Sequence, residues 1–164
     1  MTHAKAATIL RHPTVECRIV AGAGELAAHH GIRNAVFVDE QRIFARSDRD
    51  VHDDAASTIH VLGLVDGLPA GTVRIFPLGP DDPRGDWQGD RLAVLPEFRA
   101  RLLGAPLVRF AVATAGRLGG RRMIAHVQPA NREFFLRLGW RQVGEPEVYV
   151  GIPHLLMDIE LGVP

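Results

Sequence analysis

One cysteine, one tyrosine and two tryptophans are all that this chain of 164 residues holds of those types. The lone Cys17 excludes an internal disulfide framework and any paired-cysteine metal site. Its setting in TVECRIV reads as a half-buried strand thiol, with no local histidine or lysine to activate it as a nucleophile. Lysine is nearly missing too, Lys5 being the only one. Neither sign of charge prevails: 19 basic residues meet 19 acidic ones. The absence of a basic field leaves nucleic-acid binding without compositional support. No apolar run approaches the ~20 residues of a membrane span, and the N-terminus lacks a signal-peptide core. The expected setting is therefore cytoplasmic and reducing, with no membrane partner. The acidic run SDRDVHDD has no glycine at the sixth place of a calcium loop, so no metal is expected there.

What is present suits one domain over residues 1–164, with residues 1–12 as a loose tail, because 46% hydrophobic residues can fill one core. TVECRIV is the first strand. Residues 24–44 read as helix interrupted near Gly31, and 45–56 as a solvated acidic loop or short helix. STIHVLGLV and GTVRIFPLG form a strand pair around the turn signal DGLPAG. Residues 79–90 read as a polar loop, followed by a strand at 91–95, a helix at 105–118, a strand at 122–127, a helix at 130–138 and closing strands. Early strands followed by βαβα alternation give an α+β class, with a mixed sheet and helices on both sides.

The densest signal lies in GDRLAVLPEFRARLLGAPLVRFAVATAGRLG, residues 89–119. An apolar strand, Leu92, Ala93 and Val94, feeds a basic turn carrying Arg99 and Arg101 and closing on Gly104. A helix follows, with Leu107, Ala111, Ala115 and Leu118 spaced as one buried face. Such a helix start aims free N–H groups and the positive end of the dipole at whatever lies there, commonly phosphate.

That order of parts resembles the acyl-CoA-binding segment of the GNAT acetyltransferases. Arg99 fills the first place of their turn pattern and Gly104 the last, while Leu102 stands where a glycine is usual. A leucine at positive φ is strained, so a different loop path is expected. VQPANREFFLRLGW (127–140) resembles the next element of that family, through Asn131, Phe134, Phe135, Gly139 and Trp140. RNAVFVDEQRIF (33–44) and VGIPHLLM (150–157) are similar to the ElaA-like branch, which looks related to acyl-homoserine-lactone synthases. A likeness to the GNAT subgroup found in nitrilase gene clusters is also present. The resemblance covers roughly residues 15–162.

It implies a GNAT acyl-CoA N-acyltransferase fold, a central mixed sheet splayed around the acyl-CoA arm. It also implies acetyl-CoA, or another acyl-CoA, as co-substrate. The small-molecule amine would attack directly in a ternary complex, and monomer and homodimer both stay open. The cofactor residues it implies are Leu92, Ala93, Val94, Arg99, Arg101, Leu102, Leu103, Gly104, Ala105, Asn131 and Phe135. Backbone N–H groups near Val94 would polarise the thioester carbonyl.

The usual proton-donating tyrosine of the family is replaced by Phe135, so the acid and base must come from elsewhere. Asp90 is the candidate base, better placed than Glu97. Tyr149, before GIPH, is either a proton donor or a partly buried strand tyrosine. His126 is equally a functional or a structural residue, and His154 either orients the acceptor or satisfies a turn. His60 reads as a sheet histidine and His52 as solvated. Arg74 is equally a holder of an acceptor carboxylate or an ordinary surface arginine; in the first case, with Asp48, Asp50, Asp53 or Asp54 drawing the amine, zwitterionic acceptors are suggested. Two rivals remain: a non-catalytic acyl-CoA-binding module, and an acyl-homoserine-lactone-type synthase.

Overall fold

The computed structural model describes residues 12–149 and 151–162, with only the backbone of Ala100 and Arg101. Helices cover both faces of a mixed sheet. The chain runs β1 (Val15–Ile19), α1 (Gly22–Arg33), β2 (Ile59–Val65), β3 (Leu68–Pro77), β4 (Asp86–Val94), α2 (Gly104–Arg117), β5 (Arg122–Val127), α3 (Arg132–Arg137), β6 (Arg141–Gln142), β7 (Glu147–Tyr149) and β8 (Ile152–Glu160). Strand order is β1-β2-β3-β4-β5-β8-β6, and β7 pairs with β8. The first four strands are antiparallel neighbours.

The decisive irregularity is in the middle. β4 and β5 run parallel but pair only at Asp86↔Arg122, Trp87↔Met123 and Gln88↔Ile124. Beyond that point the strands part, so Gly89–Val94 has no partner on the β5 side. This is the splay that the family resemblance implies. β4 also carries a bulge: Thr72 pairs with Ala93 and Arg74 with Asp90, which leaves Arg91 and Leu92 out of register. Arg91 takes φ 52° there.

The main core lies between the sheet and α2, where Leu107, Ala111 and Ala115 are buried with Val61, Val73, Ile75 and Met157. A smaller core lies on the α1 face, from Ile32, Val36, Leu62, Leu64 and Ala93. Glycines let α2 approach: a Cβ on Gly71 would sit 2.8 Å from Leu103 Cδ2 and 2.9 Å from the Ala93 carbonyl oxygen.

Several boundaries differ from the sequence reading. Gly31 does not interrupt α1; the helix runs through it and widens at Asn34–Glu40 into a π-helix. β4 begins at Asp86, inside the expected polar loop, because Trp87 is 1% exposed and anchors that polar stretch in the core. Leu118 caps α2 and stands 48% exposed, off the buried face. In the loop after β4, Leu102 adopts the left-handed φ 57°, ψ 32° and is 80% exposed.

Candidate active site

One cleft runs through the gap between β4 and β5 and encloses about 180 Å³. On one side of the sheet it is lined by Phe37 from the α1 extension and Phe44 from the loop after it, by Asp90 and Arg91, and by His126, Tyr149 and His154. Strand geometry makes that trio. His126 on β5 sits opposite Leu156 of β8, so His154, two residues earlier, shares its face, and Tyr149 comes from the β7 ribbon beside it. The Tyr149 ring stacks on His126 with centroids 3.9 Å apart and 7° between planes, and meets the His154 ring edge-on at 5.6 Å. His154 donates from Nδ1 to the Ile152 carbonyl at 2.8 Å, the tautomer that leaves Nε2 with a lone pair. Partial burial, with His154 nearby, holds the His126 pKa below its ordinary value, so the ring is neutral at pH 7. Leu92, Asn131 and Phe135 also line the cleft.

The expected strand–turn–helix order is present, with its own arrangement. Gly104 and Ala105 open α2 with no side-chain cap at Leu103, so their N–H groups face outward unpaired by any cap. That start and the unpaired edge of β4 fit the pyrophosphate and pantetheine arm of CoA. Arg99 is engaged: its Nη1 and Nη2 bind the Glu40 carboxylate at 2.6 and 2.5 Å, and its Nε donates to the Val94 carbonyl at 3.1 Å. Leu103 (0% exposed) and Ala93 (3%) turn their side chains into the two cores, which leaves only their backbone for a ligand. Val94 pairs with Gly71 in the sheet. The side chain of Arg101 lies outside the described residues.

Three expectations are corrected by a buried ionic network. Arg74 is fully buried and every N–H is committed inside the protein. Its Nε and Nη2 hold Asp90 at 2.8 and 2.7 Å, its Nη1 and Nη2 hold Asp50 at 2.7 and 3.0 Å, and Nη1 reaches Asp53 at 3.1 Å. It therefore has no donor left for an acceptor carboxylate. Burial works against its charge, yet the hydrogen bonds it donates to Asp90 and Asp50 keep its pKa above the ordinary arginine value. Asp90, the expected base, has both oxygens occupied by Arg74 and accepts from Gln88 Nε2 as well. The acidic loop is no solvated lure either. Arg33, fully buried, binds Asp48 at 2.6 Å and Asp53 at 2.7 Å, and Arg91 binds Asp48 at 3.0 Å. Asp50 and Asp54 are the exposed members of the four, and Asp50 is tied to Arg74 and Arg91.

The histidines near this network are structural. His29 Nδ1 donates to the Val61 carbonyl, and His60 bridges His29 and the Asp53 carbonyl. His52 is not simply solvated, since it stacks on Phe76 at 4.0 Å. Cys17 is inert as expected: burial, then the Glu16 charge, pushes its thiol up to about 11. Sequence reasoning missed Phe44, Arg91 and Trp140 as cleft residues. Only the bulge puts Arg91 there, and no local pattern announces a bulge.

Three comparisons bear on this arrangement. The Acetyltransferase (GNAT) family matches residues 26–140. A Bacillus subtilis protein bearing an acetyltransferase name is 29% identical over 127 residues, 77% of this chain and 83% of its own. Escherichia coli ElaA superposes with a TM-score of 0.77 at 23% identity, covering 88% of this chain and 99% of that one. BjaI, a CoA-dependent acyl-homoserine lactone synthase, superposes with a TM-score of 0.69 at 18% identity, covering 84% and 76%.

Proposed function

Because the chain belongs to the Acetyltransferase (GNAT) family of N-acyltransferases, we propose that it moves an acyl group from CoA to a small-molecule amine in the β4–β5 cleft. The observation carrying this reading is the end of β4–β5 pairing at Gln88↔Ile124, just where His126, Tyr149 and His154 gather. The CoA diphosphate would rest on the Gly104 and Ala105 N–H groups. The pantetheine arm would pair with β4 as an added strand. The out-of-register segment at Arg91–Leu92 supplies backbone amides for the thioester oxygen.

In the reaction the neutral amine nitrogen attacks the thioester carbonyl carbon. His126 takes the proton that the nitrogen releases. The C–S bond then breaks, and Tyr149 protonates the departing thiolate and recovers its proton from His126 through solvent. The net result is one amide, one CoA thiol and no covalent enzyme intermediate. Asp90 takes no part, since Arg74 holds both of its oxygens.

A thiol-release assay over an amine panel, with S-adenosylmethionine included to detect lactone synthesis, tests the reading. The rate should fall on the acid side as His126 protonates. His126→Gln should lose about 100-fold and abolish that limb. Unchanged rates in both His126→Gln and Tyr149→Phe would remove these roles.

A further inference from the structure

On the α2 side of the gap the cleft walls are core side chains: Val108 and Ala111 of α2, Met123 and Ala125 of β5, Phe135 and Trp140. Small residues keep this half open. Ala111 and Ala125 are the smallest side chains of this lining. Apolar cavities of ~150 Å³ accept guests the size of benzene, and the whole cleft is of that order at about 180 Å³. An acetyl group reaching through the gap would leave these walls without contacts.

One polar atom breaks the apolar lining. Trp140 is 3% exposed, its ring meets Phe135 edge-on at 5.3 Å, and its Nε1–H has no acceptor among the described residues. Buried indole N–H groups ordinarily find a partner, and an unmet donor is costly. The atom is closed to solvent, so a ligand oxygen would meet it after a small shift of the ring. A carboxylate would be a poor guest, since none of these six walls is a cation that could pair with it.

Resting on the acyltransfer reading above, we infer that the acyl group delivered is longer than acetyl. It lies in the α2-side chamber and carries a neutral oxygen that accepts from Trp140 Nε1. Trp140 and Ala111 are then specificity determinants for the donor.

Calorimetry on the intact protein with bare CoA, acetyl-CoA, hexanoyl-CoA and 3-hydroxyhexanoyl-CoA tests this. Hexanoyl-CoA should bind at least about tenfold more tightly than acetyl-CoA through its buried methylenes. The hydroxylated chain should gain roughly a further fivefold through one hydrogen bond. Trp140→Phe, checked for folding by thermal melting, should lose the hydroxyl preference and keep the length preference. Ala111→Leu should erase the length preference; if that variant does not fold, the Trp140→Phe comparison decides alone. Bare CoA binding with a flat acyl series, or a hydroxyl preference surviving in Trp140→Phe, overturns this inference and leaves the function standing. Failure of bare CoA to bind overturns both.

Discussion

Replacing Arg74 by methionine separates an internal strut from a substrate-binding residue. The guanidinium is fully buried between β3, β4 and the acidic loop and satisfies Asp50, Asp53 and Asp90 together. Methionine keeps the length and removes the charge, which strands carboxylates whose side chains are at most 12% exposed at Asp90 and 3% at Asp53. Breaking a buried pair from one side costs about 3–5 kcal/mol. For a chain of this size each kcal/mol lowers Tm by roughly 2–4 °C, so the fall should be roughly 6–20 °C. Urea unfolding with unchanged m-value measures it directly. The double variant Arg74→Met/Asp90→Leu should lose less than the sum of its parts, because one stranded carboxylate is removed with its partner. A loss under about 1 kcal/mol, together with a raised KM for the acceptor alone, would refute this reasoning. It would restore Arg74 as a carboxylate binder.

Further consequences follow from the same packing. Burial, with Arg33 next to it, lowers the His29 pKa to about 3, and His30 falls to about 4. The unfolded chain, with histidines near ~6.5, therefore binds the extra protons between those values. Stability is full above pH 6.5 and falls on acidification, by about 1.4 kcal/mol per pH unit for His29; equal urea midpoints at pH 7 and pH 5 would contradict it. Gly71→Ala should cost about 1–3 kcal/mol, because the added Cβ meets the Ala93 carbonyl oxygen at 2.9 Å as well as Leu103, and an unchanged melting curve would show that the sheet can yield there. Glu40→Gln should tighten CoA binding by releasing Arg99 from its two short bonds, and Arg99→Ala should weaken it; equal affinities by calorimetry would remove Arg99 from the cofactor site.

Residues with local patterns were legible before the structure. The stretch TVECRIV marked β1, STIHVLGLV and GTVRIFPLG around the turn signal DGLPAG marked β2 and β3, and the Leu107–Ala111–Ala115 spacing marked α2. The family likeness of 89–119 anticipated the splay, and that of VGIPHLLM pointed to His154, which lines the cleft together with His126 and Tyr149. What escaped depends on contacts distant in sequence. Asp48 and Arg33 are 15 residues apart and Arg91 and Asp48 are 43, so nothing local announced that the acidic loop is pinned by buried arginines. Arg74 looked like a free cation for the same reason. Trp87 hid in a stretch of Gly, Asp and Pro, where one buried ring outweighs the turn chemistry around it. Leu102 shows the converse: strain at a turn position wanting positive φ was legible from the leucine alone, and Leu102 does take φ 57°.

A crystal structure with CoA bound tests the central claim most directly. The account places the pantetheine arm between Gly89–Val94 and the parted end of β5, the diphosphate on the Gly104 and Ala105 amides, and the sulfur within the cleft that holds His126 and Tyr149. CoA bound elsewhere, or its sulfur outside that cleft, would contradict it.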